Sequence, residues 1–249
     1  MTTIRVINPN TTVSMTAAIG ACAAAVAGPE AVVEAVSPVA GPVSLESQVD
    51  DALAVPGMLA RVAEGEAAGV DGYVIACFGD PGLAAARELA AGPVVGIAEA
   101  AMRTAAYLGR RFSIVTTLAR TVPHIEELAV SYGLERQCAG VHASGIAVVD
   151  LETDPLAREK IAEFAEAALV ADRSDVIVLG CAGMTEFTAW LAERLGVPVV
   201  DGVAAATATV AGLLRQGLRT SKRGEFAVPG AKPFTGTLAA IEPRALLAR

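Results

Sequence analysis

The sequence predicts an α/β protein of two pseudo-symmetric lobes, each a parallel sheet of about four strands flanked by helices. Three observations lead there. Val74-Ile75-Ala76 and Val176-Ile177-Val178-Leu179 are apolar runs without alternation, the pattern of strands buried on both faces of a parallel sheet. Each run meets a cysteine and a glycine-containing turn, Cys77-Phe78-Gly79-Asp80-Pro81-Gly82 and Gly180-Cys181-Ala182-Gly183-Met184, with a helical pattern behind it. The cysteines at 77 and 181 stand 104 positions apart, and Gly92-Pro93-Val94-Val95-Gly96 has a counterpart in Gly196-Val197-Pro198-Val199-Val200 at nearly the same offset. A repeated βαβαβαβα unit follows. The expected division is an N-terminal lobe over 1–105, with 206–249 returning to it, and a C-terminal lobe over 106–205. The site is expected in the cleft between them.

Taken in order, Ile4-Arg5-Val6-Ile7 is the first strand, stopped by Asn8-Pro9-Asn10. Thr11, Thr12 and Ser14 offer N-caps for an Ala-rich helix to Ala27, which Gly28-Pro29 ends. Ala31–Val36 is strand two, and a Ser/Pro/Gly loop (Ser37 to Ser44) leads to helix over Leu45 to Ala68, expected to break near Pro56. Strand three carries Cys77, and a helix from Leu83 to Ala91 follows. Val94 to Ile97 is strand four, and Glu99 to Leu108 is helical.

The second half repeats the plan. Phe112 to Thr117 is a strand, Pro123 to Tyr132 a helix, Ala139 to Ala143 a short strand and Pro155 to Val170 a long helix. After the Cys181 strand come a helix from Thr185 to Leu195, the strand Pro198-Val199-Val200 and a last helix from Val203 to Leu214. The tail from Gly217 has no strong pattern and is expected on the first lobe or a neighbouring subunit.

Bulk composition excludes several classes. Hydrophobic residues make up 53% of the 249 but aromatics only 4%, so the core is built from Ala, Val and Leu. A formal charge of −8 argues against nucleic acid and against anionic membrane surfaces. Mean hydropathy of +0.52 reflects alanine. The longest charge-free run, Val6 to Pro29, opens on Asn, Pro and Thr and fails as a spanning helix. No signal-peptide pattern is present, so a cytoplasmic location with reduced thiols is expected. Cys22, Cys77, Cys138 and Cys181 are scattered, with only His124 and His142 beside them, so zinc or iron–sulfur spacing is absent. No metal and no cofactor are expected.

Chemistry concentrates on two of the cysteines. Cys22 and Cys138 read as small core residues. Cys77 and Cys181 stand at matched strand ends, where open α/β sheets bind ligands and where a helix N-terminus would favour a thiolate. Two thiols across a cleft suit proton transfer at a carbon beside a carbonyl, one removing the proton and the other returning one from the opposite face. Backbone N–H groups at the helix starts would hold the developing enolate oxygen. Glu99, His124 and His142 read as surface or structural groups, and Asp80 as a cap for its own helix.

These residues resemble a known family. Asn8-Pro9-Asn10-Thr11, Cys77 to Leu83, Gly180 to Met184, Gly202 to Ala206 and Thr220-Ser221-Lys222 together resemble the hydantoin/allantoin racemase branch of the aspartate/glutamate racemase superfamily. The resemblance implies a cofactor-independent racemase acting at C5 of a small hydantoin ring and assembled as a homo-oligomer. It assigns Cys77 and Cys181 as the acid/base pair. Asn8, Phe78, Gly79, Thr116, Thr117, Ala182 and Gly183 become the residues expected around the substrate. Amino-acid racemases of the superfamily carry a polar Cys-Asn-Thr after the first cysteine, whereas Cys77-Phe78-Gly79 is apolar and suits a neutral ring. The alternatives are an amino-acid racemase, a maleate-type isomerase, an arylmalonate-type decarboxylase, which keeps one cysteine, and a non-catalytic binding module.

Overall fold

The computed structural model describes residues 1–236 and holds two four-stranded sheets, every strand pair in them parallel. The first comprises β1 (Thr2–Ile7), β2 (Ala31–Val36), β3 (Gly72–Ile75) and β4 (Val94–Gly96), in the order β2-β1-β3-β4. The second comprises β5 (Phe112–Thr116), β6 (Cys138–Ala143), β7 (Val176–Leu179) and β8 (Val199–Val200), in the order β6-β5-β7-β8. The orders match strand for strand, so the repeat in sequence is a repeat in topology.

Helices α1 (Val13–Ala27), α2 (Gln48–Ala68), α3 (Leu83–Leu89) and α4 (Ile97–Leu108) belong to the first half. Helices α5 (Val122–Ser131), α6 (Ala157–Asp172) and α7 (Thr188–Leu195) belong to the second, while the last helix, α8 (Gly202–Arg215), returns to pack against β1, β3 and β4 of the first sheet. Strand side chains alternate between faces. Thus Val74 and Ala76 join the main core, while Tyr73 and Ile75 pack outward with Met58 and Val62 of α2 and Leu83 of α3. In β7 the same alternation sends Val178 to the main core and Ile177 and Leu179 toward α6 and α7. The main core takes residues from both sheets and from α1, α4, α5 and α8.

Two expectations change. Helix α2 is not broken at Pro56 but runs through it for 21 residues, starting at Gln48 rather than Leu45. An interior proline removes one ladder bond at a cost of about 3 kcal/mol. Here the buried face of Ala54, Met58, Val62 and Ala63 and the Ser47 cap, whose hydroxyl accepts from the Asp50 N–H at 3.2 Å, outweigh it. The stretch Ala182–Phe187 is a tighter 3₁₀ segment, and α7 starts only at Thr188.

Beyond α8 the chain lies on the first half. The Thr220 hydroxyl donates to the Gly92 carbonyl at 2.5 Å, and Lys222 Nζ donates to the carbonyls of Arg87 and Glu88 at 2.6 and 2.9 Å. Residues 237–249, the end of the tail, lie outside the described residues. Among the described residues, no helix is long and apolar enough to cross a membrane.

Candidate functional site

Cys77 and Cys181 each stand two residues past the end of β3 and β7. The strand ends are held alike: the Ala76 N–H donates to the Ile7 carbonyl at 2.8 Å, and the Gly180 N–H to the Val115 carbonyl at 2.8 Å. Both half-buried cysteines open onto one cavity of about 260 Å³, and neither is in a disulfide. Phe78, Gly79, Thr116, Thr117 and Ala182 line the same space, with apolar Met15, Ile125 and Val148.

Asn8 and Gly183 stand behind that wall rather than on it. The Asn8 amide donates to Asn10 Oδ1 at 2.8 Å and to the Thr16 hydroxyl at 3.0 Å, and Asn10 is the residue that reaches the cavity. The Gly183 N–H donates to Cys181 Sγ at 3.4 Å, so the thiol itself caps the 3₁₀ segment after it. Cys22 is held elsewhere, its thiol donating to Asp201 Oδ1 at 3.3 Å.

The expectation that a helix terminus makes Cys77 a thiolate is overturned. Helix α3 begins only at Leu83, beyond the turn, and has seven residues. Burial therefore dominates and pushes the Cys77 thiol far above its ordinary range, against the Gly79 N–H that favours the anion; Asp51, Cys181 and Asp80 add to the rise. Burial likewise lifts Cys181 to about 11, with the Gly183 N–H opposing it and Glu46 and Asp201 adding. Burial thus favours the protonated form of both thiols. Alkylation of the two by iodoacetamide should accordingly rise about tenfold per pH unit from pH 7 to 10. A plateau near pH 8.5, the ordinary thiol value, in the mass-spectrometric rate profile of these two residues would contradict this.

Asp80 caps a different helix from the one expected. It sits at φ 45 between Gly79 and Pro81, and its carboxylate accepts the Ala98 and Glu99 N–H groups of α4 at 3.0 and 2.9 Å and the Tyr132 hydroxyl at 2.7 Å. Burial raises its pKa to about 6, against those three donors. Asp80 thereby ties the Cys77 turn to α4 and to the residue after α5. Glu99 faces away from the cavity toward Arg87 and Arg103, at 2.7 and 3.0 Å.

His124, read from the sequence as a surface or structural group, lines the cavity, and its Nε2 lies 3.0 Å from the Gly79 carbonyl, a donated bond because a carbonyl only accepts. His142 is away from the cavity, 2.6 Å from Asp172. Asp51, Arg120 and Thr121 also line the cavity and were not singled out by sequence. All three belong to segments that reach the strand ends only through tertiary packing, so no local pattern marks them. Among the described residues, no three His, Cys, Asp or Glu side chains cluster as a metal site needs.

Comparison with known proteins agrees with this layout. The family model for Asp/Glu/Hydantoin racemase matches residues 4–210. A hydantoin racemase of Rhizobium meliloti is 48% identical over 234 residues, 94% of this chain and 97% of that protein. The structure of an allantoin racemase from Klebsiella pneumoniae superposes with a TM-score of 0.95 at 48% identity, covering 98% of this chain and 100% of that one. Another, from Pseudomonas fluorescens, gives 0.89 at 42% identity, covering 94% and 100%. The chain belongs to the Asp/Glu/hydantoin racemase family.

Proposed function

We propose that this protein is a cofactor-independent racemase that inverts C5 of a hydantoin-type ring, a 5-substituted hydantoin or allantoin. Its acid/base pair is Cys77 and Cys181. The observation that carries the reading is that the two half-buried thiols, at equivalent ends of two repeated sheets, open onto one cavity. The relatives named hydantoin and allantoin racemase support the choice of ring. A small neutral substrate, self-association into a homo-oligomer and a cytoplasmic location belong to the same reading.

In the reaction, one cysteine as thiolate takes the C5 proton, and the electron pair moves onto the adjacent carbonyl oxygen as an enolate. The facing cysteine, as thiol, returns a proton to C5 from the other side. The two sulfurs end with protonation states exchanged. A raised pKa cuts both ways here: less thiolate is present at neutral pH, but each thiolate is a stronger base toward carbon. The Thr117 hydroxyl makes no hydrogen bond to any described residue and is available to a ring oxygen. Phe78 and Ile125 supply an apolar wall that keeps water from the enolate.

Polarimetry tests the reading. Enantiopure allantoin and 5-alkylhydantoins should lose optical rotation with enzyme, before and after dialysis against chelator, and iodoacetamide should abolish the activity unless substrate is present. No change in rotation with any of these rings would overturn the function. Loss of activity to chelator, with recovery on adding a divalent metal, would overturn the two-thiol chemistry.

A further inference from the structure

We infer that Asp51 makes the cavity select closed, neutral rings over carboxylate-bearing molecules, by accepting a ring N–H and repelling anions. The inference rests on the hydantoin reading above and names what enforces it.

Asp51 lies in the first turn of α2, where its backbone N–H donates to the Ser47 carbonyl at 3.0 Å. The cap itself is served by its neighbour, since the Asp50 carboxylate accepts from the Ser47 hydroxyl at 2.7 Å and from the Glu46 N–H at 3.1 Å. The Asp51 carboxylate is thereby left over. It forms no hydrogen bond or ion pair with any described residue, although it is half-buried and lines the cavity. It also stands over the Cys77 turn, for a Cβ built on Gly79 would meet its two oxygens at 3.5 and 3.7 Å. His124 Nε2 is equally near that point, but its bond goes to the Gly79 carbonyl.

A partly desolvated carboxylate with spare acceptor capacity is costly unless something donates to it. Burial raises its pKa, with Asp50 adding and His124 opposing. A hydantoin ring brings two N–H donors and no charge, and so meets that need. A dicarboxylate or the ring-opened N-carbamoyl acid brings a carboxylate and no cation, and Asp51 repels it. Asp51 is the one acidic residue among those lining the cavity. Arg120, the one Lys or Arg among them, is exposed, and its attraction is correspondingly screened by water and salt.

The test compares Asp51→Asn and Asp51→Ala with the wild type by calorimetry, which needs no turnover. The probes are 5-methylhydantoin and N-carbamoylalanine, its ring-opened form. Losing one charge-assisted acceptor should weaken the ring by about tenfold. Removing the charge should tighten the N-carbamoyl anion by about tenfold, so the selectivity ratio moves about a hundredfold. A merely structural residue would weaken both probes alike. A ratio within threefold of wild type in both variants, or parallel weakening of both probes, would overturn the inference. Wild-type protein that leaves the rotation of hydantoins unchanged would instead overturn the proposed function, since the binding ratio is measured independently of it.

Discussion

Replacing either cavity cysteine with serine, Cys77→Ser or Cys181→Ser, should lower racemisation by about 10²–10⁴-fold while leaving the fold intact. The substitution keeps shape and exchanges a thiol for a hydroxyl that scarcely ionises. Inversion needs a base on one face and an acid on the other, and each mutant lacks one of the two thiols. Exchange of the C5 proton is a half-reaction and needs only the remaining thiol. In heavy water each mutant should retain exchange for one enantiomer, and the two should retain opposite ones. In wild-type enzyme, deuterium should enter the inverted product before it enters recovered substrate. Either mutant racemising within about tenfold of wild type would show that its thiol is not an essential acid or base.

Gly96→Ala should be strongly destabilising. The difficulty is space rather than backbone conformation, because Gly96 has an ordinary φ of −84. An added Cβ would fall 2.2 Å from Asp80 Cγ and 2.3 and 2.5 Å from its oxygens. The carboxylate has to leave, which orphans two N–H groups at the start of α4 and the Tyr132 hydroxyl. At about 1 kcal/mol or more for each group left unpaired, the loss is about 3 kcal/mol or more. Under the two-thiol reading activity should fall too, since the Asp80 N–H donates to the Cys77 carbonyl at 3.0 Å and holds the Cys77 turn. Gly212→Ala in α8 has no neighbour nearer than 4.0 Å and should be neutral or mildly stabilising. Urea unfolding of the two variants decides the matter, and a Gly96→Ala protein within about 0.5 kcal/mol of wild type would refute the role given to Asp80.

The sheets were legible because burial on both faces leaves its mark locally: Val74-Ile75-Ala76 and Val176 to Leu179 admit no polar residue at any alternate position. The same runs deliver Cys77 and Cys181 to strand ends, so the two ends of the cleft could be read from the chain. What bridges those ends could not. Asp80 reaches 18 and 19 residues ahead to α4, and His124 reaches back 45 residues to Gly79. Asp51 and Arg120 look like ordinary solvated charges of a helix start and a loop. The unbroken path of α2 through Pro56 was hidden for a related reason, since propensity records the lost hydrogen bond but not the packing that offsets it.

The two cysteines share a topology but not an environment. Cys181 Sγ accepts an N–H at the head of a 3₁₀ segment and has Glu46 and Asp201 for charged neighbours, while Cys77 has Asp51 and Asp80. Enantiomers are equal in free energy in water, so the equilibrium constant of a racemisation is one. The Haldane relation then requires equal kcat/KM for the two hands, whatever the asymmetry of the thiols. Under the two-thiol reading, that asymmetry can only appear as matched inequalities. The enantiomer whose proton goes to the more weakly acidic thiol should differ from its mirror image in kcat and, by the same factor, in KM.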